Sequence, residues 1–296
     1  MSAGWGAPVA VAGATLAVSV SAILIEEAHS DAATVVWLRM GIAVVLLVPW
    51  AAPQLRERSV GGSMSDGLLT LAAGLLLAVH FLAWTASLAS TTVAASVLLV
   101  SLHPLIVTPV GAWLLGDRVG PRVIAGVCLA IGGTVVTCAA AFGAGGEALR
   151  GDLLALVGGA ALAGYLLIGR GRRQRGGVAA YSAAVYAVVS AVALATAAAG
   201  GGVHAPGVRT LVACIGLAAV CTVGGHTVFN WALQRLPAST VSLSFLGEPP
   251  LAAVLAFLVL GQRLEPPTII GGGLILCGLA MTLSSPARPV AATLGG

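Results

Sequence analysis

Glu248 is the first residue whose type and surroundings suggest chemistry. It lies about ten residues into a long apolar run and is followed by Pro249 and Pro250. An acid within a membrane segment costs about 2.5 to 3.5 kcal/mol and persists where it faces a cavity or a partner. The two prolines lack N–H groups and so free backbone carbonyls, which is tolerated beside neighbouring helices or a wet cavity. Two readings follow: a carboxylate that exchanges a proton or holds a substrate amine, or a structural acid neutralised by protonation or by hydrogen bonds at the kink. His103, followed by Pro104, sits in a second apolar run. It could take part in proton coupling, or be satisfied by a nearby carbonyl. Arg39 stands alone in a third run, either snorkelling towards the surface or turned inward as a carboxylate clamp. Turned inward, Arg39 and Glu248 would hold the two ends of a zwitterion.

His80, Trp84, Tyr165, His226, Asn230 and Trp231 are the remaining polar or amphipathic candidates within apolar runs. The pairs 80–84 and 226–230 each lie four residues apart, hence on one face of a helix. One face of each helix could line a polar pathway, or these side chains could be interface anchors and bundle hydrogen bonds. Asn230 is the only Asn in the chain, which suits a placed hydrogen-bonding role. Ser239, Ser242 and Ser244 follow His226, but no G-x-S-x-G, H-E-x-x-H or paired-acid signature accompanies them, so no catalytic residue is expected. All five Cys lie in apolar stretches without C-x-x-C or zinc-ligand spacing, so neither a disulfide framework nor a metal site is expected. With no Lys there is no Walker A motif and no expectation of ATP coupling. No cofactor is expected.

The elements that must position these residues follow from composition. Of 296 residues, 58% are hydrophobic and only 8% charged, against roughly 25% charged in a soluble domain. The mean hydropathy is +1.04, which excludes a disordered or nucleic-acid-binding chain. A membrane helix needs about 20 apolar residues. Runs of that kind occur at 6–25, 33–52, 66–88, 92–115, 121–143, 151–169, 178–199, 209–232, 238–260 and 266–284, which predicts ten transmembrane helices. Charge, Gly or Pro marks nearly every break; the weakest is Ser90-Thr91-Thr92, where a turn is still required because a 45-residue apolar helix would overshoot any bilayer. The first run has no basic segment before it and reads as a helix, not as a cleaved signal.

With a cytoplasmic N-terminus, ten Arg fall on the inner side (positions 56, 58, 118, 122, 170, 172, 173, 175, 235 and 288) and three on the outer (150, 209 and 263). The positive-inside rule therefore places both termini in the cytoplasm, with 285–296 as a short tail. The cluster Arg170 to Arg175 reads as a topology signal in contact with anionic lipid.

The chain also matches itself without a gap at an offset of 145 residues: Leu98 with Leu243, Pro104 with Pro249, Leu115-Gly116-Asp117-Arg118 with Leu260-Gly261-Gln262-Arg263, Pro121 with Pro266, Gly126 with Gly271, and Gly133 with Gly278. Two repeats, 6–143 and 151–284, each hold five spans. An odd number inverts the second repeat in the membrane, an arrangement of secondary transporters whose sites lie between the repeats. The small residues from Gly126 to Gly133 and from Gly271 to Gly278 are placed for close helix packing.

Trp37-Leu38-Arg39, the segment from Leu236 to Leu243, Glu248-Pro249, and Leu260-Gly261-Gln262-Arg263-Leu264 before a Gly-rich last span resemble the EamA-type drug/metabolite transporter superfamily. The likeness runs over nearly the whole chain and is strongest from Leu236 to Gly278; the first repeat has His103-Pro104 where the second has Glu248-Pro249. The resemblance implies an all-α integral membrane protein of two inverted five-helix repeats that exports small metabolites, amino acids or drugs across the inner membrane. It implies a small-molecule substrate, protons as a possible coupling ion, lipid surroundings, no nucleic-acid partner, and action as a monomer. A lipid or glycolipid flippase on the same fold is the alternative, and an intramembrane enzyme a remote one. A phosphate-bearing solute is disfavoured because Arg39 is the only cation inside a span.

Overall fold

A computed structural model of the chain describes residues 6–58, 64–115, 120–138, 146–173, 177–201, 203–261 and 266–283. Among these residues there are helices and no strands, in the order α1 Gly6–Ser19, α2 Ser21–Ala28, α3 Ala32–Arg58, α4 Met64–Leu88, α5 Val93–Val100, α6 Pro104–Leu115, α7 Pro121–Cys138, α8 Gly146–Arg173, α9 Val178–Ala199, α10 Val208–Gly216, a π-helix Leu217–His226, α11 Thr227–Ala232, α12 Ala238–Ser244, a 3-10 turn Phe245–Gly247, α13 Glu248–Leu260 and α14 Pro266–Leu283.

Among the described residues eight stretches are long and apolar enough to cross a membrane, and two shorter apolar helical segments, Pro121–Gly133 and Ile269–Gly278, lie where the fifth and tenth spans are expected. The chain is a multi-pass membrane protein. The far ends of those two expected spans (139–143 and 284), the Asp117-Arg118 and Gln262-Arg263 turns, Arg175 and the tail 285–296 lie outside the described residues. Side chains such as Leu16, Val45, Trp113 and Leu258 point outward, as suits a surface solvated by lipid.

The charge-free break after α4 is a real turn: Thr92 adopts an extended conformation and its side chain accepts the Ala95 amide at 3.2 Å, starting α5 with an N-cap. The run 92–115 is not one continuous helix, because Ser101, Leu102 and His103 form a turn between α5 and α6. The run 238–260 is interrupted at the equivalent place by the 3-10 turn. Advancing by 145 residues carries α7 onto α14, α6 onto α13 within one residue, and α5 onto α12 with the first residue of the 3-10 turn.

The packing of α7 on α14 shows why its residues are small. A Cβ on Gly133 would lie 2.5 Å from the Gly271 carbonyl oxygen and 2.8 Å from the Ile275 nitrogen, and one on Gly278 would lie 2.5 Å from the Gly126 oxygen and 2.8 Å from the Ala130 nitrogen. The contacts are reciprocal under the 145-residue offset and run in opposite chain directions, so α7 and α14 pack antiparallel about a local two-fold axis. Only glycine permits backbones this close. Gly133→Ala and Gly278→Ala are each expected to destabilise the protein by about 1–3 kcal/mol, and to similar extents, because each drives a methyl into backbone. Thermal unfolding in detergent checks this; a large effect at one position and none at the other contradicts it.

Contacts between connections fall into two groups. At one end Arg209 pairs with Glu27, Thr210 Oγ1 donates to the Ala28 carbonyl at 2.9 Å, and Thr91 Oγ1 donates to Asp152 at 2.8 Å. At the other, the Ala180 amide donates to Gln54 Oε1 at 3.0 Å and Arg170 Nη1 to the Leu233 carbonyl at 2.7 Å. Arg170, expected to face lipid, is thus buried at the end of α11, where a cation satisfies a terminal carbonyl.

Candidate functional site

Two broken helices meet at the centre of the fold, and each break follows from a proline. Pro104 has no N–H to give Val100, and the freed carbonyl is taken by His103 Nδ1 at 3.1 Å. His103 Nε2 faces the Ser242 backbone without a well-formed hydrogen bond. Pro249 likewise cannot donate to Phe245, whose carbonyl instead takes the Glu248 amide in the 3-10 turn. That shift strands the Ser244 carbonyl, which accepts Thr15 Oγ1 from α1 at 3.1 Å. His103 and Glu248, equivalent under the 145-residue offset, therefore sit at equivalent helix breaks.

Both line one cavity of about 20 Å³, with Ser21, His80, Trp84, Ser101, His226 and Phe245, and with Val18, Val100 and Leu162 as its aliphatic wall. That volume holds about one water. His80 Nδ1 bonds the Gly158 carbonyl at 3.0 Å, and its ring stacks on Trp84 with centroids 6.0 Å apart. His226 lies 6.4 Å from His80, 5.1 Å from Phe81 and 5.9 Å from Phe245, centroid to centroid. The Trp84 indole nitrogen is buried and has no partner. Five residues singled out by sequence (Glu248, His103, His80, Trp84 and His226) thus surround one space.

Arg39 turns inward and does not snorkel: only 1% of it is exposed. Its Nε donates to Thr222 Oγ1 at 2.7 Å, its Nη1 to Ser21 Oγ at 3.2 Å, and its guanidinium stacks over Phe81 at 4.4 Å from the ring centroid. Nη2 is buried without a hydrogen-bond partner. Arg39 is not in the cavity wall and makes no direct ion pair with Glu248. Ser21 connects them, since it touches Arg39 and also lines the cavity.

Tyr165 and Asn230 are not in the cavity wall. The Tyr165 hydroxyl donates to Asn230 Oδ1 at 2.6 Å, and Asn230 Nδ2 donates to Ser182 Oγ at 2.8 Å, a buried tie between α8, α9 and α11. Tyr165→Phe is expected to lower stability by roughly 0.6–1.7 kcal/mol, the range for hydrogen bonds between membrane helices. Its apparent affinity for solute should match the unaltered protein, and a changed affinity at unchanged stability would place Tyr165 in the site after all.

Ser21, Thr222, Phe81, Ser101 and Phe245 were not distinguishable as site residues from sequence. Thr222 carried a signal, being four residues from His226 and so on the same side of its helix. No group of three or more His, Cys, Asp or Glu among the described residues could hold a metal.

Residues 5–139 and 149–284 each match the family described as the EamA-like transporter family. The chain belongs to the EamA-like transporter family. It is also similar to a crystal structure of a protein with 22% identical residues, over 93% of this chain and 95% of that one, at a TM-score of 0.74. That likeness reports the shared fold. No curated protein matches.

Proposed function

We propose that this EamA-like chain is a secondary transporter that exports amino acids or related amines and drugs across the inner membrane by alternating access. The observation that carries this reading is the cavity where Glu248 and His103 meet at paired helix breaks, with Ser21 in its wall accepting from Arg39, whose Nη2 is buried without a partner. Glu248 receives the solute's amine or a proton, and Arg39 Nη2 receives the anionic end. A proton and an amine compete for one carboxylate, so loading one displaces the other, which is the elementary requirement of exchange. His103, His80 and His226 supply further groups for moving that proton. Pro104, Pro249 and Pro250 keep the two breaks from closing into regular helix. No cofactor enters the scheme, and the protein works as a monomer.

The ten-span, inverted-repeat arrangement is part of the proposal, comprising 6–143, 151–284 and a cytoplasmic tail, with α7 and α14 as the fifth and tenth spans. Its support is the antiparallel two-fold contact of these helices and the sorting of connections into two ends that match the positive-inside assignment. A cavity of about 20 Å³ is too small for an amino acid, so solute entry requires the halves to separate around it.

The test is release of intracellular metabolites by cells overproducing the protein, against empty-vector cells, with the medium profiled for amino acids and amines. A compound released only with the protein supports export and names the solute. Inserted protein that releases nothing removes the export reading.

A further inference from the structure

The π-helix Leu217–His226 is the one long departure from α-helical hydrogen bonding among the described residues, and departures of this kind occur often at functional sites. Its register is stitched by two threonines. Thr222 Oγ1 donates to the Leu217 carbonyl at 3.0 Å, five residues back, and Thr227 Oγ1 donates to the Thr222 carbonyl at 3.1 Å, again five back. With its proton committed to Leu217, the Thr222 hydroxyl can only accept, and what it accepts is Arg39 Nε at 2.7 Å. Ser21 takes Nη1, Phe81 covers the guanidinium face, and Nη2 is left unpartnered.

The positions related to these by the repeat lack this arrangement. At the 145-residue offset Arg39 corresponds to Ala184, Thr222 to Leu77 and Ser21 to Leu166. A frame that pairs Glu248 with His103 therefore carries a buried arginine on one side only, which gives a solute with one anionic end a single orientation.

We propose that Thr222 is a positioning residue of the solute site: the π-helix presents its hydroxyl to Arg39 Nε, and this fixes the guanidinium with Nη2 free for the anionic end of the solute. The inference rests on the reading of Arg39 as the anion-binding group. Without Thr222 the guanidinium turns its Nε to satisfy another acceptor, and Nη2 is no longer held in place.

The experiment uses the full chain in proteoliposomes, with a labelled mixture of the protein amino acids and, separately, the matching decarboxylated amines. Thr222→Val, Thr222→Ser, Arg39→Met and the double variant Arg39→Met/Thr222→Val are compared, each normalised to inserted protein and checked for thermal stability. Thr222→Val is expected to raise KM for amino acids about tenfold, the effect of about 1.4 kcal/mol of lost binding. Its kcat and its transport of the amines should stay within about twofold of the unaltered protein, a difference too small to count as a lost contact. Thr222→Ser, which keeps the hydroxyl, should restore the KM, and Thr222→Val should add nothing once Arg39 is Met. Unchanged KM in Thr222→Val beside an impaired Arg39→Met overturns the role of Thr222 and leaves the anion site standing. Equal losses for amines and amino acids that Thr222→Ser does not restore also overturn it, since they report a structural role. Normal amino-acid KM in Arg39→Met, or no amino-acid transport by the unaltered protein, defeats the reading beneath it.

Discussion

Glu248→Gln is expected to reduce solute-for-proton exchange by more than about tenfold per inserted molecule, a loss of at least about 1.4 kcal/mol of differential stabilisation, while the protein still inserts and folds. Glutamine has nearly the same volume as glutamate, so the 3-10 turn, the Phe245 carbonyl bond to residue 248 and the cavity wall all survive. What is lost is the charge. An amide takes up no proton and offers an ammonium group only a neutral acceptor, so the step in which proton and amine displace one another disappears. Release of solute measured across a series of external pH values checks this. Wild-type pH dependence in the variant contradicts a proton role for Glu248, whereas residual transport with the pH dependence gone retains it.

Arg39→Gln is expected to cost as much, by a different route. Arg39 is 1% exposed, and three of its contacts, to Thr222, Ser21 and Phe81, fix its plane. The Thr222 and Ser21 hydroxyls are left without the buried donors they accept from, and an unmade buried hydrogen bond is costly, so this variant should lose both stability and transport. Arg39→Lys should not rescue: an ammonium group is compact and cannot serve Thr222 and Ser21 together while presenting a third donor from a rigid fork. Thermal unfolding and amino-acid KM measured on the same preparations test both statements. Full rescue by lysine would mean that charge alone matters and that the fork geometry does not.

Much of the site was legible because polar groups in a lipid solvent are expensive and therefore conspicuous. Glu248 and His103 stand out as an acid and a histidine before prolines in apolar runs, and the 145-residue offset alone pairs them. The uncharged turn at Ser90 to Thr92 was legible from length alone, and Thr92 supplies the cap that makes it. The direction of Arg39 was not legible. Its acceptor Thr222 lies 183 residues away and reaches it from a π-helix, a local geometry that apolar periodicity does not encode. Asn230 and Tyr165 had the same polar credentials as His226 and His80, yet they pair with each other and with Ser182 outside the cavity. A side chain's type signals that it needs a partner, while only the packing of helices decides which partner it gets. Pro104 signals a departure from regular helix, but the turn from Ser101 to His103 depends on the imidazole of His103 taking over the hydrogen bond that proline cannot make.

The most direct test of a solute path through the Glu248 cavity uses proteoliposomes loaded with the compound that overproducing cells release, with a pH gradient imposed across the bilayer. The account predicts that the gradient drives solute movement with the unaltered protein, that solute movement dissipates the gradient, and that Glu248→Gln, inserted to the same level, does neither. Equal gradient-driven transport by Glu248→Gln, or transport by the unaltered protein that leaves the gradient untouched, would contradict it.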